Sequence, residues 1–262
     1  MKLARFRFEG RARYGIVEGD LVTEVRGSPF RGKLQRSNRT HRLSEVVLLP
    51  VTAPVQVFGG VGANYPDHVA QAEETSGRKL GEMGIQPFPK SNASLTGSGS
   101  PIVLTPEAGE VHYEGELVIV IGRKARRVSK ERALDYVLGF TCGNDVSEKE
   151  SWEKDFSHWR SKGIPTWGPV GPWIATDLDS SNLDVTIRMN GQVEHRFNTR
   201  DLISDVPTIV SHISQYATLF PGDLIFTGTS GTTRAIKPGD VVEVEISGIG
   251  NLRNPVVMER RR

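Results

Sequence analysis

Cysteine is almost absent from this 262-residue chain, and neither sign of charge is in excess. The one cysteine, Cys142, cannot form an internal disulfide, and no Cys-x-x-Cys pair is present to bind zinc. The net charge is only +2, from 33 basic and 31 acidic residues, so no global field attracts nucleic acid or a membrane surface. We therefore expect a protein of the reducing cytoplasm with no nucleic-acid partner.

Long hydrophobic runs are also missing. The most apolar stretch, residues 46–63, is interrupted by Pro50 and Pro54. The N-terminal MKLARFRFEG alternates apolar and basic residues and lacks the apolar centre of a signal peptide. We expect neither secretion nor a membrane span.

Turn signals divide the chain into two units with a boundary near residue 50. Residues 1–25 predict three short strands joined by turns at Gly10 and at residues 18–20, whereas the polar RGKLQRSNRTHR (31–42) predicts a loop or linker. The predicted units are a small N-terminal β module, residues 1–50, and a larger domain, residues 51–262.

Strand patterns dominate the larger unit. They include LDVTIRMNGQ with an Asn190-Gly191 hairpin signal, GDLIFTGTS and GDVVEVEISGIGNL. Two short amphipathic helices are predicted, one after Ser129 and one after Asp205 with Pro207 in its first turn. The predicted fold is mostly β, of the α+β type with few short helices.

Residues 111–122, VHYEGELVIVIG, predict a strand with unusual polar positions. Side chains alternate along a strand, so His112, Glu114 and Glu116 share one face. Two neighbouring carboxylates repel each other, and burying either without a positive partner is costly. The pattern leaves two interpretations open: exposed acids on an edge strand, or ligands of a cation.

A third acid favours the cation. Asp145 follows the predicted strand of GFTCGNDVS, where irregular backbone can present an oxygen ligand. Three carboxylates without cysteine, or histidine at ligand spacing, favour a hard cation. Mg²⁺ is the first choice, with Mn²⁺ or Ca²⁺ as alternatives.

Five segments, in this order, resemble the fumarylacetoacetate hydrolase (FAH) superfamily across residues 55–262: GANYPDH, HYEGELVIVIG, GFTCGNDVS, PGDLIFTGT and GDVVEVEISGIGNLRNPV. The first fifty residues resemble the small N-terminal β module of some bacterial members. The resemblance implies an FAH-type mixed β-roll, usually a homodimer, that acts on a small molecule. Its metal-ligand motif falls on the three acids already singled out.

The resemblance also implies roles for residues outside the acidic cluster. His68, in NYPDH, matches the water-activating histidine, although a lone histidine is more often structural. Lys162, in RSKGIPTW, matches a lysine that polarises a substrate oxygen; without the family it is simply a surface lysine. Tyr65 and Thr229 fall in substrate-binding segments, although the glycines beside Thr229 would equally explain a β-turn.

Several positions depart from the family pattern. Gln71 stands where the family has the acid partner of its catalytic histidine, and Glu73 and Glu74 follow at offsets that face away in a helix. Pro165 replaces an aspartate near the catalytic lysine, and Ser230 replaces a proline. Water activation by the usual dyad is therefore in question.

Two further departures concern the substrate pocket. Lys149 replaces an arginine and so lacks the planar guanidinium group that binds an anion through two hydrogen bonds. Trp152 replaces a glutamine and adds apolar surface. A more apolar substrate is the expected consequence.

The resemblance, together with these residues, implies a metal-dependent hydrolase that acts on an activated carbonyl. The bond expected to be cleaved is the C–C bond of an acylpyruvate or β-diketo acid, or an acyl thioester of a more apolar substrate. The alternatives are a decarboxylase or tautomerase with the same metal site, and a catalytically silent binding protein of this fold.

Overall fold

The protein, seen here in a computed structural model, is described over residues 1–77, 79, 84–152, 154–155 and 157–260. Within helices, the side chains of residues 72, 75, 76 and 152 are outside this description. The strands are β1 Lys2–Phe8, β2 Arg11–Glu18, β3 Leu21–Ser28, β4 Arg31–Arg42, β5 Val47–Leu48, β6 Val57–Gly59, β7 Phe88–Lys90, β8 Leu95–Thr96, β9 Ile102–Leu104, β10 Val111–His112, β11 Gly115–Ile121, β12 Val137–Asn144, β13 Ser147–Glu148, β14 Gly168–Ala175, β15 Asp184–Met189, β16 Gln192–Asn198, β17 Leu224–Phe226, β18 Val241–Ile246 and β19 Gly250–Met258. The α-helices are α1 Pro66–Ser76, α2 Lys149–Trp152, α3 Trp159–Lys162 and α4 Val206–Tyr216.

The predicted mostly β fold is confirmed. Across the described residues the largest sheet has 12 strands, along the order β4-β3-β2-β1-β14-β12-β11-β17-β6-β7, with β5 paired to β1 and β8 to β14. A five-stranded sheet has the order β16-β15-β18-β19-β9, and β10 pairs with β13. None of the described helices is long and apolar enough to cross a membrane.

The N-terminal strands form successive hairpins that join the main sheet where β1 pairs with β14. The predicted loop over residues 31–42 is wrong, because these residues form the edge strand β4 paired with β3. The guanidinium of Arg36 binds the carboxylate of Glu18 on β2 at 2.6 and 2.8 Å. Basic side chains are common on exposed edge strands, where they discourage further pairing, so polarity here did not indicate a loop.

One predicted helix is confirmed and the other is wrong in kind. Asp205 caps α4 by accepting the N–H of Thr208 at 2.9 Å, as its position before Pro207 predicts. The segment after Ser129 forms only a 3₁₀ helix, Lys130–Tyr136, before the chain enters β12. Pairing of residues 137–144 with β11 takes precedence over helical spacing because it places the apolar residues in the core.

Strand β11 is buried at all seven positions and separates two parts of the core. Leu117, Ile119 and Ile121 pack in the cluster that also contains the apolar face of α4, whereas Val118 and Val120 pack in the cluster under β1 and β14. Strands β12 and β17 run antiparallel to β11 on either side. The start of β11 therefore lies beside the ends of β12 and β17, and the functional residues collect there.

Candidate functional site

The three predicted acids meet at the start of β11. Carboxylate oxygens of Glu114, Glu116 and Asp145 lie within 4.8 Å of one another, and all three residues are buried. The backbone N–H of Asp145 donates to the carbonyl of Glu114 at 2.8 Å, which brings the end of β12 to the start of β11. The antiparallel register creates this cluster from residues about thirty positions apart in sequence.

The predicted continuous strand over residues 111–122 is interrupted, since β10 ends at His112 and β11 begins at Gly115. His112 does not join the acids: its ring nitrogens bond to Glu110 Oε1 at 2.6 Å and Thr233 Oγ1 at 2.9 Å. The break lets Glu114 and Glu116 converge without placing His112 beside them.

Three lysine ammonium groups surround two of the acids. Lys162 Nζ lies 2.6 Å from both Glu114 Oε2 and Asp145 Oδ2, and Lys149 Nζ lies 3.1 Å from Glu114 Oε1. Lys90 Nζ lies 2.7 Å from Asp145 Oδ1 and donates to the main-chain carbonyl of Lys162. Lys162 is therefore buried in the site, and the interpretation of it as a surface lysine is wrong.

Lys90 is a site residue that the sequence analysis did not find. Its side chain is 0% exposed. In sequence, this lysine ends the three-residue strand β7, with two prolines just before it and a serine-rich segment after it. Nothing local distinguishes this lysine from an exposed one. Only the packing of β7 beside the end of α3 places its ammonium group against Asp145.

The acids differ in their electrostatic surroundings. Burial raises the pKa of Glu114, but the Lys162 and Lys149 ammonium groups hold that pKa well below its usual range. Burial and the carboxylates of Asp145 and Glu114 raise the pKa of Glu116 well above its usual range. Glu116 Oε2 accepts the backbone N–H of Gly228 at 2.6 Å, which offsets only part of this repulsion.

This donor set fits a divalent cation. All three ligand groups are carboxylates, which suit Mg²⁺, Mn²⁺ or Ca²⁺ rather than a soft metal. Glu116 is buried, and its carboxylate lies close to those of Glu114 and Asp145, so a nearby cation would offset the repulsion among the three groups. Glu114, Glu116 and Asp145 would hold the ion.

His68 enters the site from the first turn of α1. Tyr65 precedes this helix, Pro66 opens it, and His68 Nδ1 lies 2.9 Å from the carbonyl oxygen of Gly231. A carbonyl only accepts, so Nδ1 carries the proton and Nε2 is the basic atom of the neutral ring. His68 also lies close enough to Glu114 to lower the pKa of that carboxylate.

Gln71, at the position of the family's dyad acid, and the two glutamates that follow it lie further along α1. Gln71 is one helical turn after His68 and half-buried, Glu73 is half-buried, and Glu74 is exposed. The helix ends at Gly77, whose left-handed φ of 67° permits the terminating turn.

The loop after β17, residues 227–235, forms another wall of the site. Thr229 is buried, and its hydroxyl has no hydrogen-bond partner among the described residues. A buried hydroxyl without a partner is costly in a folded protein, so this one is suited to meet a ligand. Tyr65 is buried against the edge of the Phe197 ring at 5.1 Å, and burial with nearby carboxylates raises its pKa, so its hydroxyl stays neutral.

Two predicted pocket residues lie on α2. The Lys149 ammonium group contacts Glu114, but the side chain of Trp152 is outside the described residues. The carboxylate of Asp155 accepts the N–H groups of Arg160 and Ser161 at 2.8 and 3.1 Å. These bonds hold the start of α3 and thereby help to place Lys162.

The family is shown by direct comparison. Residues 58–257 match the model described as fumarylacetoacetate (FAA) hydrolase C-terminal, and residues 1–50 match that described as Rv2993c-like, N-terminal. The chain therefore belongs to the fumarylacetoacetate hydrolase family. It is 40% identical to Protein Rv2993c of Mycobacterium tuberculosis (strain ATCC 25618 / H37Rv), and the similarity covers 98% of each chain.

Solved structures show the same fold. A 5-carboxymethyl-2-hydroxymuconate delta-isomerase from Mycobacterium smegmatis is 38% identical with a TM-score of 0.88, over 99% of this chain and 100% of that one. A maleylpyruvate hydrolase from Sphingobium sp. SYK-6, in complex with manganese(II) and pyruvate, is 28% identical with a TM-score of 0.80 over the same shares. Other relatives are named for decarboxylation and tautomerisation.

Proposed function

We propose that this protein is a metal-dependent hydrolase that cleaves the C–C bond of an acylpyruvate or related β-diketo acid. One arrangement carries the proposal: a buried set of three acids with an ammonium group at 2.6 Å from two of them, and a histidine nearby whose Nε2 is basic. The hydrolase relative with bound manganese and pyruvate supports both the cation and the oxo-acid class of substrate.

Mg²⁺ is the proposed cation, held by Glu114, Glu116 and Asp145, with Mn²⁺ or Ca²⁺ as alternatives. Once bound, it would supply Lewis-acid polarisation of the substrate's oxo group and stabilise the negative charge that develops there.

The side chains then have distinct tasks. His68 Nε2 takes a proton from water, and the water oxygen bonds to the acyl carbonyl carbon. The C–C bond breaks with its electron pair on the leaving pyruvate carbon, which receives the proton from His68. Lys162 donates to a substrate oxygen and Thr229 donates to the substrate carboxylate.

Replacing His68 by alanine is expected to reduce the rate by about 10²-fold or more, the usual scale for acid–base catalysis. Steady-state kinetics on one good oxo-acid substrate measure the loss.

Gln71→Glu tests whether an added carboxylate one turn along α1 raises the rate. The double change Glu73→Gln with Glu74→Gln tests for a substitute acid. Full turnover in His68→Ala contradicts a base at this position.

A decarboxylase or tautomerase is the second candidate, because a structural relative is an isomerase and other relatives are named for these reactions. Such a reaction needs proton transfer but no activated water. Turnover in H₂¹⁸O distinguishes the two, since hydrolysis places ¹⁸O in the carboxylate product. If no oxo acid is turned over while one raises the melting temperature with Mg²⁺, the protein is a binding protein of this fold.

Trp152 is proposed to line the acyl part of the pocket and to favour an apolar group, which extends the substrate range to acyl thioesters. Trp152→Gln is then expected to shift preference toward small diketo acids. The measurement is kcat/KM across a series of acyl lengths. A series with unchanged ratios contradicts a pocket role for this residue.

We further propose that the protein is a homodimer of the cytoplasm that binds a small molecule and no nucleic acid or membrane. The family resemblance supports the dimer, and the balanced charge supports the absence of a polyanionic partner. Light scattering that gives a monomer mass at micromolar concentration contradicts the dimer.

A further inference from the structure

Ser230 lies at the centre of a hydrogen-bonded chain that the proposed reaction does not use. Its Oγ donates to Asp67 Oδ2 at 2.7 Å and lies 3.1 Å from His195 Nε2. Ser230 is buried, and the next residue, Gly231, supplies the carbonyl that accepts from His68 Nδ1. Two consecutive residues of the 227–235 loop thus bind two consecutive residues of α1.

The direction of each bond follows from the number of protons. The Asp67 carboxylate also accepts the backbone N–H of His68 at 2.8 Å, and it can only accept while ionised. Ser230 has one hydroxyl proton, which it donates to Asp67, so its oxygen accepts from His195 Nε2–H. Donation therefore runs from His195 through Ser230 to Asp67.

This order excludes an obvious alternative. A serine between a histidine and an aspartate resembles a nucleophile, but a nucleophilic serine gives its proton to the histidine. Here the proton points to the aspartate, and His195 donates to the serine oxygen. The chain is suited to fixing position, not to attacking a substrate.

The local backbone depends on the same contacts. Gly231 has a φ of +70°, and a Cβ built on it would lie 2.6 Å from His195 Nε2. The His195 ring stacks on Phe197 at 5.4 Å, and Phe197 in turn packs against Tyr65 at the start of α1. His195 therefore supports the loop from one side while Asp67 holds it from the other.

We propose that Ser230 is a positioning residue for His68: through its bonds to Asp67 and His195 it fixes the Gly231 carbonyl, which holds the His68 proton on Nδ1 and leaves Nε2 as the base. The role rests on the proposed function of His68. Catalysis depends on how often the base is in the productive geometry. A histidine ring held in one orientation and one tautomer is in that geometry more often than a ring that rotates, so its rate is higher.

The test combines imidazole ¹⁵N NMR with kinetics on four single variants and one double variant. The chain has six histidines, so the His68 signals are assigned by their loss in His68→Ala. Ser230→Ala removes the bridging hydroxyl, and Ser230→Thr retains it. Thr233→Val is the matched control, because it removes another hydroxyl–imidazole bond of the same loop, at 2.9 Å to His112.

In wild type, Ser230→Thr and Thr233→Val, the His68 ring is expected to show the Nδ1–H tautomer. Ser230→Ala is expected to show a mixture and to lose about tenfold to hundredfold in kcat with little change in KM, the scale of a small misplacement of a catalytic group. In a His68→Ala background the same change is expected to have no further effect.

An unchanged His68 tautomer in folded Ser230→Ala overturns the proposal, as does an equal loss of kcat with and without His68. If Ser230→Ala does not fold, Asp67→Asn provides the second variant. Asp67 is solvent-exposed, and its change to asparagine removes the charge of the group that accepts from the Ser230 hydroxyl. Failure of the proposed function is a separate result, namely no turnover by the wild type, and the NMR measurement still decides the role of Ser230.

Discussion

Replacement of Glu116 by glutamine is expected to remove activity while leaving the metal-free protein at least as stable as the wild type. Loss of a carboxylate ligand weakens the bound cation, which contributes several kcal/mol of transition-state stabilisation, so kcat/KM is expected to fall by about 10²–10⁴-fold. Stability is retained because the Glu116 carboxylate is buried beside Asp145 and Glu114, and like charges repel. Glutamine keeps an oxygen for the N–H of Gly228.

Glu114→Gln, two residues before Glu116 in sequence, is the matched comparison. It also removes a proposed ligand, but Glu114 is bound to Lys162, Lys149 and Ser147. Its loss leaves the buried Lys162 ammonium group with one carboxylate partner, Asp145, instead of two, and is expected to lower the free energy of unfolding by about 3 kcal/mol. Mn²⁺ titration by calorimetry and thermal unfolding in EDTA measure both effects. Normal Mn²⁺ affinity in both variants rules out the metal site.

Replacement of Lys162 by methionine is expected to produce the largest combined loss of stability and activity. The Lys162 ammonium group is buried and contacts two carboxylates at 2.6 Å, so its removal leaves both acids less compensated. Breaking such a buried pair costs about 3–5 kcal/mol. Because Lys162 also donates to the substrate oxygen in the proposed reaction, kcat is expected to fall by about 10²–10³-fold.

Lys149→Met provides the control for Lys162. Lys149 also contacts Glu114, but its side chain is 36% exposed, and a solvent-screened pair of this kind contributes about 1 kcal/mol or less. Added Mg²⁺ is expected to raise the melting temperature of Lys162→Met more than that of Lys149→Met, because the cation replaces lost positive charge among the acids. Equal melting temperatures of the two variants in EDTA contradict a central electrostatic role for Lys162.

Patterns confined to one element were predicted well. The mostly β class, the hairpin at Asn190-Gly191 and the Asp205 cap of α4 each depend on neighbouring residues in sequence. The resemblance to the family is likewise confirmed by the match over residues 58–257. Strand β4 was predicted as a loop, and the 3₁₀ helix after Ser129 was predicted as an amphipathic helix. Both predictions failed because pairing between strands decided the two conformations.

Alternation along a strand and the order of the motifs are visible without coordinates, so the three acids and the family could be predicted from the sequence. The electrostatic surroundings of those acids depend on the tertiary structure and could not be predicted. Lys90 and Lys162 lie 72 residues apart, and only packing of β7 against the end of α3 buries both ammonium groups beside Asp145. The tertiary structure also decides which group contacts the His68 ring, because the carbonyl that accepts from Nδ1 belongs to Gly231, 163 residues away. Contacts between residues so distant in sequence depend on how complete elements pack, which no local pattern specifies.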